Sequence, residues 1–225
     1  METQNSKPTT NNQQPTPKII GITGGIGSGK STVSKYIEEM GFPVYNSDYW
    51  AKELVNFDEN LKSKIINLLG ENSYDENGKY NRTYVASIVF ENENLLHELN
   101  KIIHPAVKEH FENWVKAQHS EIVFKETALL FELKLNEQCY QSILVTADDN
   151  IRIKRVMDRD KKTYREIEAI MQKQMSEKDK IRKADFIIEN NSDLETLKSY
   201  TKRYMAAFFR QVKIGVLTLT LEKKQ

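Results

Sequence analysis

The sequence predicts an α/β fold built around a parallel sheet, and three observations carry that reading. An apolar stretch, Lys18 to Thr23, runs directly into a glycine-rich turn and then into residues whose apolar members, Val33, Tyr36, Ile37 and Met40, recur at i, i+3, i+4 and i+7. A second short apolar stretch, Phe42 to Tyr45, follows at once, and a right-handed strand-helix-strand crossover makes the two strands parallel. Three further β-branched or aromatic runs, at 122–124, 142–146 and 186–188, are separated by segments with helical patterning.

Residues 1–17 are rich in Asn, Gln, Thr and Pro with almost nothing apolar. Such a composition cannot offset the entropy of ordering, so a disordered tail is expected. The first helix spans about 30–40 and is closed by Gly41 at the position where helices favour glycine. The second strand ends at Asn46-Ser47-Asp48, on the same sheet edge as the glycine turn. From 49 to 119 the pattern is mostly helical: Leu95, Leu96, Leu99, Ile102 and Ile103 make one stripe, His104-Pro105 interrupts it, and Val107, Phe111, Trp114 and Val115 resume it. Proline disfavours the helical region for the residue before it, which predicts a bend at His104. About 70 residues is too long for a bare crossover, and the segment reads as a helical insertion that could cover an acceptor substrate.

The third strand runs into Lys125-Glu126-Thr127 and the fifth ends at Glu189-Asn190. Between the fourth and fifth lies a basic helical stretch, 150–183, holding Arg152, Arg155, Arg159, Lys161, Lys162 and Arg165, which reads as a lid. Leu194, Leu197, Thr201, Tyr204, Met205 and Phe208 mark a closing helix, so the folded unit is expected over 18–209. In the remaining extension, 210–225, the alternation Leu217-Thr-Leu219-Thr-Leu221 suits a strand.

Composition removes several function classes. The chain has 225 residues, with Lys plus Arg 33 against Asp plus Glu 32, so no bulk field attracts nucleic acid or an anionic membrane. One cysteine, Cys139, excludes an intrachain disulfide, and no signal-peptide core and no apolar run near the roughly 20 residues that span a bilayer is expected. A cytoplasmic protein acting on a small molecule is expected, as a monomer or weak homo-oligomer.

The chemistry concentrates in the turn. Gly24, four residues, then Gly29-Lys30-Ser31 matches the spacing in which backbone N–H groups cradle phosphates, the lysine reaches the β/γ oxygens and the hydroxyl holds Mg²⁺. Gly25, Ile26, Gly27, Ser28, Gly29, Lys30, Ser31 and Thr32 are therefore candidate ATP contacts. A flexible Gly/Ser turn is the plain alternative, but a strand before the motif and a helix after it are the context in which it binds nucleotide. Glu126, at a strand end, is a candidate carboxylate for Mg²⁺ through water, together with Ser31.

Other residues leave alternatives open. Asp48 could accept the proton of a hydroxyl nucleophile, or simply cap the following helix, a task Asn46 or Ser47 could perform instead. Arg155 and Arg159, four apart, could be a solvated helix face or the arginines that neutralise a transferring phosphoryl group, with Asp160 orienting one of them. His104 taken alone reads as a structural histidine, and Cys139 as a packed side chain. The GTPase-like fragments Asp75-Glu-Asn-Gly78 and Asn100-Lys101 fall in a turn and inside a helical stripe, which argues against that class.

Assembled, these residues resemble the dephospho-CoA kinase family. The matching runs are Ile22 to Thr32, Asp48 with Ala51-Lys52, His104-Pro105, Leu129-Leu130-Phe131-Glu132, Arg155 through Arg159-Asp160, and Ala184-Asp185-Phe186 through Asn190, within about 18–204. The resemblance implies a three-layer P-loop fold with parallel strands in the order 2-3-1-4-5, a CoA-binding helical region and a lid. It implies that Asp48 is the general base, that His104, Lys52 and Glu132 belong to the dephospho-CoA site, that Arg159 is the lid arginine, and that Asn190 lies near the adenine pocket. Asn46, Lys52 and Ala128 depart from the family's aspartate, arginine and proline, and Lys52 loses the bidentate fork of arginine. The expected reaction is ATP-dependent phosphorylation of the ribose 3′-hydroxyl of dephospho-CoA. The alternatives are another small-molecule kinase, such as one for nucleoside monophosphates, and a nucleotide-dependent switch protein.

Overall fold

The computed structural model describes residues 16–90 and 92–222, with side chains described as far as Gln211. The expected disordered tail, up to residue 15, lies outside the described residues. The strands are β1 (Lys18–Thr23), β2 (Val44–Asn46), β3 (Ile122–Glu126), β4 (Gln141–Thr146) and β5 (Phe186–Glu189). They form one sheet in the order β2-β3-β1-β4-β5, with every neighbouring pair parallel. The crossovers diverge on either side of β1, which opens a crevice at the carboxyl ends of the strands.

The sheet is buried on both faces because period-two alternation sends apolar residues both ways. One face, with Ile20, Ile22, Phe124, Ile143 and Ile188, packs on α1 (Lys30–Glu39) and α9 (Leu194–Glu222) through Val33, Ile37, Leu197 and Phe208. The other, with Ile19, Tyr45 and Val123, packs beneath α2 (Ser47–Phe57), α3 (Glu59–Leu69), α4 (Arg82–Val89) and α5 (Glu93–Lys116). Between β4 and β5 run α6 (Asp149–Asp160), α7 (Tyr164–Gln172) and α8 (Glu177–Lys183). Asp75 to Gly78 is a turn closed by the Gly78 N–H on the Asp75 carbonyl at 2.9 Å, and Asn100-Lys101 lies within α5, as expected of both.

α5 runs through His104-Pro105 as one helix with the proline inside it. Leu99 before the proline and Val107, Phe111 and Val115 after it are all buried on one core, and that packing outweighs the loss of one backbone hydrogen bond. The alternating residues Leu217 to Leu221 are not a strand but the continuation of α9, which extends to Glu222. Propagating an existing helix adds one hydrogen bond per residue, whereas a strand there would need a free sheet edge to pair with.

Candidate active site

The glycine turn leaves β1 at the crevice and enters α1 through backbone that only glycine adopts without strain. Gly27 has φ 78° and Gly29 φ 98°. A Cβ on Gly29 would also strike the Asn190 amide. Gly29 is the N-cap of α1 and supplies no side chain to its first N–H groups, so those donors and the positive end of the helix dipole are left for an anion. Facing the turn is a cavity of about 160 Å³ lined by Gly25, Gly27, Gly29, Lys30 and Ser31 on one side and Arg155 and Arg159 of α6 on the other.

Behind this cavity stands a buried carboxylate. Glu126, 1% exposed at the end of β3, accepts from Ser31 Oγ at 2.6 Å and from Asn46 Nδ2 at 3.0 Å. Asn46 is also the N-cap of α2, its Oδ1 accepting from the Tyr49 N–H at 2.8 Å. One asparagine thus caps α2 and orients Glu126, which leaves Asp48 free of both tasks. Asp48 lies in the first turn of α2, half-exposed, with Oδ2 3.9 Å from Lys30 Nζ.

The arginines divide into three roles. Arg155 donates to Asn190 Oδ1 at 3.3 Å, and its Nη1 is buried with no hydrogen-bond partner among the described residues. Arg159 is exposed and held by Asp160 in a bidentate pair, at 2.6 and 2.8 Å. Asp160 holds the Arg159 guanidinium above its ordinary pKa, and Arg159 holds the Asp160 carboxyl below its own. Arg152 was assigned no role by the sequence, yet it is 3% exposed and donates from Nε to the Ile26 carbonyl at 3.0 Å, while Asp149 and Glu177 take its Nη1. Gln174 completes the grip by accepting the Ile26 N–H at 3.1 Å. No spacing marks these two residues, because their partner is backbone more than 120 positions away. Asn190, 5% exposed, donates to the Ser28 carbonyl at 2.8 Å, so both ends of its amide are engaged by the turn and Arg155.

A larger cavity, about 640 Å³, opens on the far side of Asp48 beneath α2, α4 and α5. Asp48, Lys52 and His104 line it among Val55, Val85, Leu99 and Val107. Burial lowers the pKa of His104, so its imidazole is neutral near pH 7. Asp48 therefore stands between the phosphate turn and the apolar cavity. Glu132 does not line the cavity: its Oε1 lies 3.3 Å from the fully buried Lys180 Nζ and accepts the Met175 N–H at 2.9 Å. Lys125, absent from the sequence-based candidates, also lines the cavity, and its only signal was a lysine directly after the apolar run Ile122-Val123-Phe124.

The strand order together with a phosphate turn at the head of α1 places the chain among the P-loop kinases. Shikimate kinase from Acinetobacter baumannii shares that fold, at TM-score 0.50 and 12% identity over 87% of this chain and 95% of that one. More specific matches narrow the class. A family model described as dephospho-CoA kinase matches residues 18–196. The dephospho-CoA kinase of Fusobacterium nucleatum is 39% identical over 83% of this chain and 96% of that protein, and that of Leptospira interrogans 35% over 82% and 89%. A crystal structure from Thermus thermophilus superposes with TM-score 0.75 at 32% identity, covering 85% of this chain and 97% of that one. The chain belongs to the dephospho-CoA kinase family.

Proposed function

We propose that the protein transfers the γ-phosphoryl group of ATP to the ribose 3′-hydroxyl of dephospho-CoA, releasing ADP and CoA. The observation that carries this reading is the 3.9 Å approach of Lys30 and Asp48, which joins the phosphate turn to the acceptor cavity at one point. An acceptor seated in the 640 Å³ cavity presents its hydroxyl to Asp48, and the carboxylate accepts the proton as the oxygen attacks phosphorus. Lys30 and the turn N–H groups hold the β/γ oxygens. Arg155 and Arg159 neutralise the transferring group from α6, which with α7 and α8 forms the lid. Arg152, Gln174 and Asn190 brace the turn they touch.

Ser31 and Glu126 are the residues that would hold Mg²⁺, Glu126 through water. Two oxygen donors side by side fit an ion that keeps several waters and takes its other ligands from phosphates, and no group of three or more His, Cys, Asp or Glu suited to a metal occurs among the described residues. Bound there, Mg²⁺ supplies charge neutralisation of the phosphates. No helix of the described residues is long and apolar enough to cross a membrane, and the single cysteine suits a reducing cytoplasm.

The test is acceptor-dependent release of ADP from Mg-ATP, with dephospho-CoA, AMP, dCMP and no acceptor compared. Stimulation by dephospho-CoA above the others is expected. Preference for AMP or dCMP overturns the acceptor, and slow hydrolysis without acceptor stimulation overturns the kinase reading.

A further inference from the structure

The acceptor cavity contains a buried cation that the reaction described above does not use. Lys125 pairs with Gly21 of β1 on one side and Tyr45 of β2 on the other. Its side chain shares a sheet face with Val123, beneath the helical insertion, whereas Phe124 and Glu126 point to the face of α1. It is 5% exposed, and its ammonium stands 4.0 Å from the centroid of the Phe111 ring. None of the ion pairs formed within 4.0 Å by the described residues includes it. The titratable groups that face it are Cys139 and Glu112, which favour its charge, and Lys108, which opposes it. Burial is the dominant influence and disfavours the ammonium.

A lysine held by an aromatic face and no ion pair, in a mostly apolar wall, destabilises the free protein relative to an apolar residue of the same length. Such a cost persists where the group has work to do with a ligand. The cavity has other cations, Lys52, Arg82 and Lys108, but these are exposed, and water screens their charge. Lys125 is the cation whose charge is felt most strongly inside.

This inference rests on dephospho-CoA being the acceptor. That molecule carries one anionic group, the diphosphate that joins its adenosine to pantetheine. With the 3′-hydroxyl at Asp48, the remainder of the molecule extends into the cavity whose floor Lys125 forms. We infer that Lys125 is a substrate-binding residue that holds the diphosphate of the acceptor by a charge-assisted hydrogen bond inside the apolar cavity.

The test compares wild type with Lys125→Met, which keeps length and removes charge. Binding of dephospho-CoA, ADP-glucose and adenosine is measured by calorimetry, with the nucleotide site filled by a non-hydrolysable ATP analogue. ADP-glucose keeps the diphosphate without pantetheine, and adenosine lacks both. Loss of one buried hydrogen bond to a charged group predicts about 10- to 100-fold weaker binding of both dephospho-CoA and ADP-glucose, with adenosine unchanged. The melting temperature of the free variant should equal or exceed that of wild type, which separates this role from a structural one. Unchanged affinity for dephospho-CoA, loss confined to dephospho-CoA with ADP-glucose unaffected, or equal loss for adenosine each overturns the assignment. Wild-type protein that fails to bind dephospho-CoA overturns the acceptor proposed above and this inference with it, a result distinct from wild-type binding that Lys125→Met leaves intact.

Discussion

At the scale of single residues the site depends on which side chain takes which duty at the head of α2. Because Asn46 caps the helix and tethers Glu126, Asp48 keeps its carboxylate toward Lys30 and the cavity. The Lys30 to Asp48 pair is long and Asp48 half-exposed, so it adds little to stability. Asp48→Asn should therefore fold as well as wild type in denaturant titrations while kcat falls about 10²- to 10⁴-fold, the range a general base contributes. Turnover near wild type would remove Asp48 from the reaction. His104 carries a pH signature of its own. Its pKa is below the ordinary value near 6.5 because burial disfavours the imidazolium. The unfolded chain therefore binds more protons in that window, and the His104 contribution to stability is fully present above about pH 6.5 and is lost as pH falls through the lower folded value. His104→Gln should flatten the fall in unfolding free energy as pH drops below about 6.5, compared with wild type.

At the scale of elements, helices are held where the sequence alone would break or detach them. α5 passes through Pro105 because its buried face packs along its whole length, yet the missing N–H still costs. Pro105→Ala should raise the unfolding free energy by up to about 3 kcal/mol, read from the denaturation midpoint. The segment α6 to α8 is fastened to the core by Arg152 and Gln174 on Ile26 and by Glu132 on Lys180 and the Met175 N–H. Glu132→Gln leaves the ammonium of Lys180 buried without its counter-charge, so a loss of about 3 kcal/mol is expected. The double variant Glu132→Leu with Lys180→Met should recover most of it, because two apolar groups replace a pair whose desolvation is expensive. Failure to recover would overturn the reading of Glu132 as the counter-charge of Lys180.

At the scale of the whole molecule, the sheet order brings to one edge residues that lie far apart in the chain: Lys30, Asp48, Glu126, Arg155 and Asn190. A nucleotide that binds only this assembled edge stabilises the entire fold, by about 2.7 kcal/mol at 100 times its Kd. Mg-ATP should thus shift the melting transition upward in wild type, and Lys30→Ala should lose most of that shift. The strands, the first helix and the glycine turn were legible in the sequence because each rests on local periodicity and one short motif. The helical end of α9 was not, because alternation is a local signal that helix propagation overrode.

The sequence by itself determined a phosphate-binding turn between a strand and a helix, a carboxylate just after the second strand and arginines on a later helix. Each is encoded within a few residues of itself. Only the tertiary structure decided that Asn46 rather than Asp48 caps α2, that Glu132 faces Lys180, that Arg152 and Gln174 clasp Ile26, and that Lys125 lines the apolar cavity. These depend on which distant groups meet in the crevice, and hydrogen bonds and buried charges take their partners from three-dimensional proximity, which sequence spacing does not record.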